Sequence, residues 1–141
     1  MLVRPHWMRD PYRRPASGAS ALGRARRAVY LPRMGQYLQH VFVCSIGKSC
    51  SKAGGDDVFR AMKRDVRDAG LAGSVRVNKA GCMNQCGHGP MVVVYPQDVW
   101  YAAVDEEGGR RIVDRHLAHG EVVDDLRYIA PPGDNKIDDA E

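Results

Sequence analysis

Residues 40–44, HVFVC, and 81–104, GCMNQCGHGPMVVVYPQDVWYAAV, decide how this chain folds. HVFVC is short, β-branched and apolar, the composition of a buried strand, and it ends in a cysteine. In the second stretch a glycine-rich loop, reaching from Lys79 to Pro90, leads into MVVVYP (91–96), an apolar strand that Pro96 terminates. VWYAAV (99–104) begins two residues later. That is hairpin spacing, so these two strands should pair antiparallel.

Working outward, SIGKSCSKAGG (45–55) reads as a polar loop. Asp56 and Asp57 then sit where acids favour a helix N-terminus, and Val58, Phe59, Met62, Val66 and Ala69 repeat at helical spacing until Gly70 offers a cap. SVRVN (74–78) alternates as a strand does. Strand, helix, strand implies a parallel pair with a crossover, and the hairpin adds antiparallel strands. The expected fold is α/β: a thioredoxin-like mixed sheet of about four strands flanked by helices. A second helix should follow Asp105 as N-cap, with Glu106 and Glu107 in its first turn and Ile112, Val113, His116 and Leu117 on its apolar stripe before Gly120. Gly108 and Gly109 weaken it near its start. Residues 121–129 fit neither period, and APPGDNKIDDAE (130–141) reads as a disordered acidic tail.

A chain of 141 residues, 44% hydrophobic, supports one ordinary core. Its net charge of +4 hides a split. Residues 1–33 carry eight arginines against Asp10 alone, while 34–141 carry thirteen Lys or Arg against sixteen acids, a balance of −3. Prolines and glycines interrupt any helix in the arginine-rich stretch, so residues 1–36 read as a disordered basic leader. Met34 opens a segment running straight into the first strand, and is the alternative start. The expected organisation is therefore leader 1–36, domain 37–121 and a C-terminal extension 122–141. No run of eighteen apolar residues and no secretory signal occurs, which argues against a membrane span and for a cytoplasmic protein. Residues 40–120 carry no interleaved basic and aromatic stripe, so nucleic acid is a poor partner for the domain, and any such role rests on the leader.

All four cysteines fall in the two loops: Cys44 and Cys50 with five residues between them, Cys82 and Cys86 with three. Without export, two structural disulfides are disfavoured, which leaves metal ligation or catalytic redox chemistry. Parallel strands that end at one edge bring their following loops together, so the four thiols can converge across the intervening thirty-one residues. Gly47, Gly54, Gly55, Gly81, Gly87 and Gly89 let backbone N–H groups approach, and Ser45, Ser49 and Ser51 offer hydroxyl donors. Such surroundings suit an anionic group such as a 2Fe-2S cluster on thiolates.

The residues quoted at 40–44 and 81–96, with VWY at 99–101, resemble the thioredoxin-like 2Fe-2S ferredoxins, and through them the corresponding subunit of respiratory complex I and its relatives in hydrogenases and formate dehydrogenases. The resemblance covers about residues 38–120. It implies a 2Fe-2S cluster on Cys44, Cys50, Cys82 and Cys86, one-electron transfer to a redox partner protein, no catalysis on a substrate of its own, and a homodimer. The −3 balance would favour a positively charged partner surface. The five-residue gap between the first two cysteines is shorter than free-standing members usually have and closer to the complex I type, which keeps open an electron-transfer subunit of a larger dehydrogenase or hydrogenase complex.

Other readings compete. Structural zinc would tolerate the gap of three, but five is not typical of zinc ribbons. A dithiol oxidoreductase would need Cys-x-x-Cys at a helix N-terminus, which is missing. His88, two residues after Cys86, is read as an exposed loop residue, since four cysteines complete a site without it. His116 is expected to be a satisfied core histidine; Tyr95, Trp100 and Tyr101 are expected in the core or at a subunit contact.

Overall fold

The computed structural model describes residues 35–137, so nearly all of the expected leader, and residues 138–141, lie outside the described residues. Four strands form one sheet: β1 (Gln39–Cys44), β2 (Val75–Ala80), β3 (Val92–Tyr95) and β4 (Val99–Tyr101), in the order β2-β1-β3-β4. β1 and β2 run parallel, and the other pairs are antiparallel. This is the mixed sheet with a terminal hairpin that the sequence leads one to expect. One register detail positions everything that follows. Cys44 pairs with Ala80, so β1 and β2 end on the same row and both cysteine loops leave from one rim. The Cys44 N–H donates to the Met91 carbonyl at 3.0 Å, returning the second loop to that rim.

Alternation along the strands sends Val41, Val43, Val75, Val77, Val92 and Val94 to a face covered by helices, where all are buried. The loop expected between the first two cysteines is not all loop: Lys48–Lys52 form a short helix, α1, with Cys50 buried inside it. A single turn of this kind has no apolar repeat long enough to be read from sequence. The following helix, α2 (Gly55–Asp68), presents Val58, Ala61, Met62 and Val66 to the core. Asp56 and Asp57 occupy its first turn, as expected, and Gly70 lies past its end at φ +73°.

Helix α3 (Glu106–Arg111) starts at Asp105, whose Oδ1 accepts the Gly108 N–H at 2.7 Å. Its glycine pair has a packing reason. A Cβ on Gly109 would stand 2.8 Å from Met62 Cγ, so the missing side chain is what lets α3 approach α2. The helix continues as a π-helical segment, Ile112–Leu117, which buries Ile112, Val113, His116 and Leu117 together. His116 is the satisfied core histidine expected: its Nδ1 lies 2.7 Å from the Tyr101 hydroxyl. That hydroxyl also accepts the Val123 N–H at 3.3 Å, leaving its own proton for Nδ1. Burial pushes the His116 pKa down.

Residues 122–137, within the stretch set apart as an extension, make contacts with the domain. Val123 is fully buried in the core, and a 3₁₀ turn, Asp124–Leu126, directs the chain along β4. There the Ala102 N–H donates to Leu126 at 3.0 Å and the Tyr128 N–H to Trp100 at 2.7 Å. Residues 131–137, expected to be disordered, hydrogen-bond to the second cysteine loop. From this segment only backbone groups make these contacts, and neither helical nor strand periodicity reports them. Among the described residues no helix is long and apolar enough to cross a membrane.

Candidate metal centre

Cys44 ends β1 and Cys50 follows within α1; both are buried at 1% exposure. Cys82 is exposed and Cys86 half-buried in the loop after β2. The thiols form two pairs. Cys44 and Cys50 pack together in one buried cluster, and Cys82 Sγ lies 3.2 Å from Cys86 Sγ. Two thiolates on one tetrahedral metal, with bonds of about 2.3 Å, lie roughly 3.7 Å apart, so this spacing needs only a small adjustment.

Gly47 is where the two loops meet. A Cβ there would stand 2.9 Å from Cys44 Sγ and 3.7 Å from both Cα and Cβ of Cys82. Gly89 does the same for the inner pair, since its Cβ would overlap the Cys50 sulfur. The expected glycine cradle is thus real at these two positions. Gly55 packs instead against the Cys44 and Cys50 backbone, which brings the start of α2 to the inner pair, and Gly81 has open space around it. Among the described residues no three His, Cys, Asp or Glu side chains gather as they would around a single ion.

Surroundings shift the Cys50, Cys82 and Cys86 thiols in different directions. Burial, then the hydrogen bond with Cys44, pushes the Cys50 thiol up to about 12. The Asn84 N–H, donating to Cys82 Sγ at 3.4 Å, lowers the Cys82 pKa, and the contact with Cys82 raises that of Cys86. Cys82 therefore gives up its proton before Cys86 or Cys50 does. Met91, with Met83, Trp100, Ala102 and Tyr128 packed alongside, forms an apolar wall around the inner pair. Among the described residues one buried hydroxyl, that of Ser45 next to Cys44, has no hydrogen-bond partner. Buried hydroxyls are rarely left so, and a bound anion would supply the acceptor. Glycine cradle, spare hydroxyl and paired soft sulfur donors all fit an iron–sulfur cluster.

His88 is not the exposed residue expected. It is half-buried, its Nε2–H donates to the Asn135 carbonyl at 2.9 Å, and its ring lies 5.0 Å from that of Tyr128. The sequence reading missed Gln85 altogether. This residue between Cys82 and Cys86 is buried, accepts from the Tyr128 hydroxyl at 2.8 Å and donates to the Gly133 carbonyl at 2.9 Å. A glutamine in a glycine-rich loop carries no signal of its own. Tyr101 is in the core as expected, whereas Trp100 is half-buried at the wall of the site and Tyr95 is exposed.

No protein-family model matches the chain. Among curated relatives, the 2Fe-2S ferredoxin of Aquifex aeolicus is 40% identical over 105 residues, spanning 67% of this chain and 95% of the relative. That of Clostridium pasteurianum is 35% identical over 95 residues, spanning 62% and 93%. The crystal structure of the wild-type thioredoxin-like 2Fe-2S ferredoxin from Aquifex aeolicus aligns with a TM-score of 0.63 at 37% identity, covering 67% of this chain and 99% of that one. Similarity at this level over almost the whole length of these relatives, on a sheet of the same fold, means that the chain belongs to the thioredoxin-like 2Fe-2S ferredoxin family.

Proposed function

We propose that this chain is a free-standing one-electron carrier whose 2Fe-2S cluster is held by Cys44, Cys50, Cys82 and Cys86. The observation that carries the assignment is Gly47, whose missing side chain lets Cys44 and Cys82 approach from two loops that leave the sheet at paired residues. A bound cluster supplies a one-electron couple, and each electron adds negative charge to a site that is already anionic. Cys44 and Cys50 hold it from inside, away from water, while Cys82 and Cys86 present it at the surface. Electrons enter and leave on the Cys82–Cys86 side. The Asn84 N–H stabilises negative charge on the Cys82 sulfur and so favours the reduced state.

The partner is a redox protein that docks at this rim. The −3 balance of residues 34–141 is a poor guide to that encounter, because the exposed charges flanking the cysteines are Lys48, Lys52 and Lys136 beside Asp134. The family resemblance and the sheet face opposite the helices also support a homodimer. There the rings of Tyr37, His40, Phe42 and Tyr95 form a continuous row, with Phe42 6.2 Å from Tyr95. A second copy would cover it, which sedimentation analysis tests directly. The same reading favours the cytoplasm, the compartment that keeps thiols reduced, and the four free cysteines support it.

Anaerobic titration with dithionite tests the carrier assignment. One electron per chain should bleach the visible band reversibly. An uptake of two electrons would point instead to a disulfide being reduced to a dithiol, and no uptake to structural metal.

A further inference from the structure

We propose that residues 131–137 are a positioning strap for the Cys82–Cys86 half of the cluster site, fastened through Gln85 and His88, and that its opening sets how fast that half is lost. The proposal rests on the cluster reading above. The local sequence builds the strap first. Pro131 and Pro132 restrict the backbone, Gly133 turns it at φ +103°, and the Asn135 side-chain amide donates to the carbonyls of Pro131 at 2.7 Å and Gly133 at 3.0 Å.

The turn so formed then meets the cysteine loop. Asn135 N–H donates to the Asn84 carbonyl at 3.1 Å, and Ile137 N–H to that of Cys86 at 2.8 Å. From the loop side, Gln85 and His88 reach back to the Gly133 and Asn135 carbonyls. Residues 84, 85, 86 and 88 are thus each tied to the strap, leaving the loop between the outer sulfurs little freedom. Gly87 makes the fit possible: it adopts φ +93°, and a Cβ there would stand 2.8 Å from Ile137 Cβ.

The strap is fastened rather than buried. Residues 131–134, 136 and 137 are exposed, and between the strap, Met83, Trp100 and Tyr128 lies an open groove of about 520 Å³. A segment held by solvent-accessible hydrogen bonds with little apolar burial opens locally, at a fraction of the free energy of global unfolding. When it opens, the Cys82–Cys86 pair loses the constraint that fixes its spacing, and the Cys44–Cys50 pair does not.

Three proteins test this in the loaded, anaerobic state: the full chain, a chain ending at Ala130, and Asn135→Ala, which touches only the strap. Decay of the visible band in excess EDTA reports cluster loss, and the guanidinium midpoint reports the fold. Loss should be at least about tenfold faster in the truncated chain, the equivalent of one or two net hydrogen bonds. It should be intermediate in Asn135→Ala, with unchanged midpoints in both. Equal decay rates in all three would overturn the strap while leaving the cluster intact, as would faster decay that merely follows a falling midpoint. A full chain with no visible band would overturn both the cluster and the strap.

Discussion

Replacing Gly47 with alanine puts one methyl group between the two cysteine loops. The new Cβ would stand 2.9 Å from Cys44 Sγ, whereas ordinary contact begins near 3.4 Å. The sulfur must therefore withdraw by about half an ångström, more than the ~0.2 Å that metal–ligand distances tolerate. Backbone strain adds nothing, since Gly47 sits at φ −57° and ψ 141°, a region open to alanine. The metal-free fold should even gain about 0.4–1 kcal/mol from reduced freedom of the unfolded chain. There the Cys44 thiol can rotate away; as a ligand it cannot. An overpacking cost of about 1–3 kcal/mol then falls on the loaded form alone, a roughly 5- to 150-fold weaker hold on the cluster. The assay compares wild type, Gly47→Ala and Gly81→Ala, the last having nothing within 4 Å of its new methyl group. Bleaching under fixed chelator is followed alongside the thermal midpoints of the metal-free proteins. Gly81→Ala should match wild type, and Gly47→Ala should bleach at least about fivefold faster with an equal or higher metal-free midpoint. Wild-type bleaching in Gly47→Ala, or a metal-free midpoint that falls, would refute the reasoning.

Gly89→Ala forces its methyl group into the Cys50 sulfur and should lower iron content on purification more than Gly47→Ala does; iron analysis showing full loading would contradict the cradle. Ser45→Ala removes the unpartnered hydroxyl beside Cys44 and should lower the reduction potential by about 20–60 mV, because a donor stabilises the more negative reduced state; an unchanged potential means the hydroxyl serves elsewhere. Burial holds the native His116 pKa below its usual range, so the unfolded chain takes up the proton first as pH falls. Stability is then full above about pH 6.5 and declines on acidification from there to the depressed native pKa, by up to about 1.4 kcal/mol per pH unit. Guanidinium midpoints between pH 7.5 and 5 should show that decline in wild type and a flatter profile in His116→Gln; identical profiles would rule His116 out as its source.

Much of this architecture was legible because its signals are local. HVFVC and MVVVYP announce buried strands, Asp105 caps the helix it precedes, and the cysteine spacing marks two loops that the parallel pairing of β1 and β2 must bring to one rim. What stayed hidden depends on contacts between distant segments. Gly109 reads as a helix weakness until Met62 is seen against it. Gln85, Tyr128 and Gly133 are unremarkable apart, and become a clamp only when the chain beyond Val123 folds back over the cysteine loop. The segment 131–137 looked like a tail because its order comes from backbone hydrogen bonds and one asparagine, without an apolar period.

The central claim, that four thiols from two loops hold a pair of bridged irons, is tested most directly by counting iron, zinc and acid-labile sulfide in the full chain purified without exposure to air. Two irons and two sulfides per chain are expected, and less of both in Cys82→Ser and Cys86→Ser. Zinc in place of iron, iron without sulfide, or protein holding neither would contradict it.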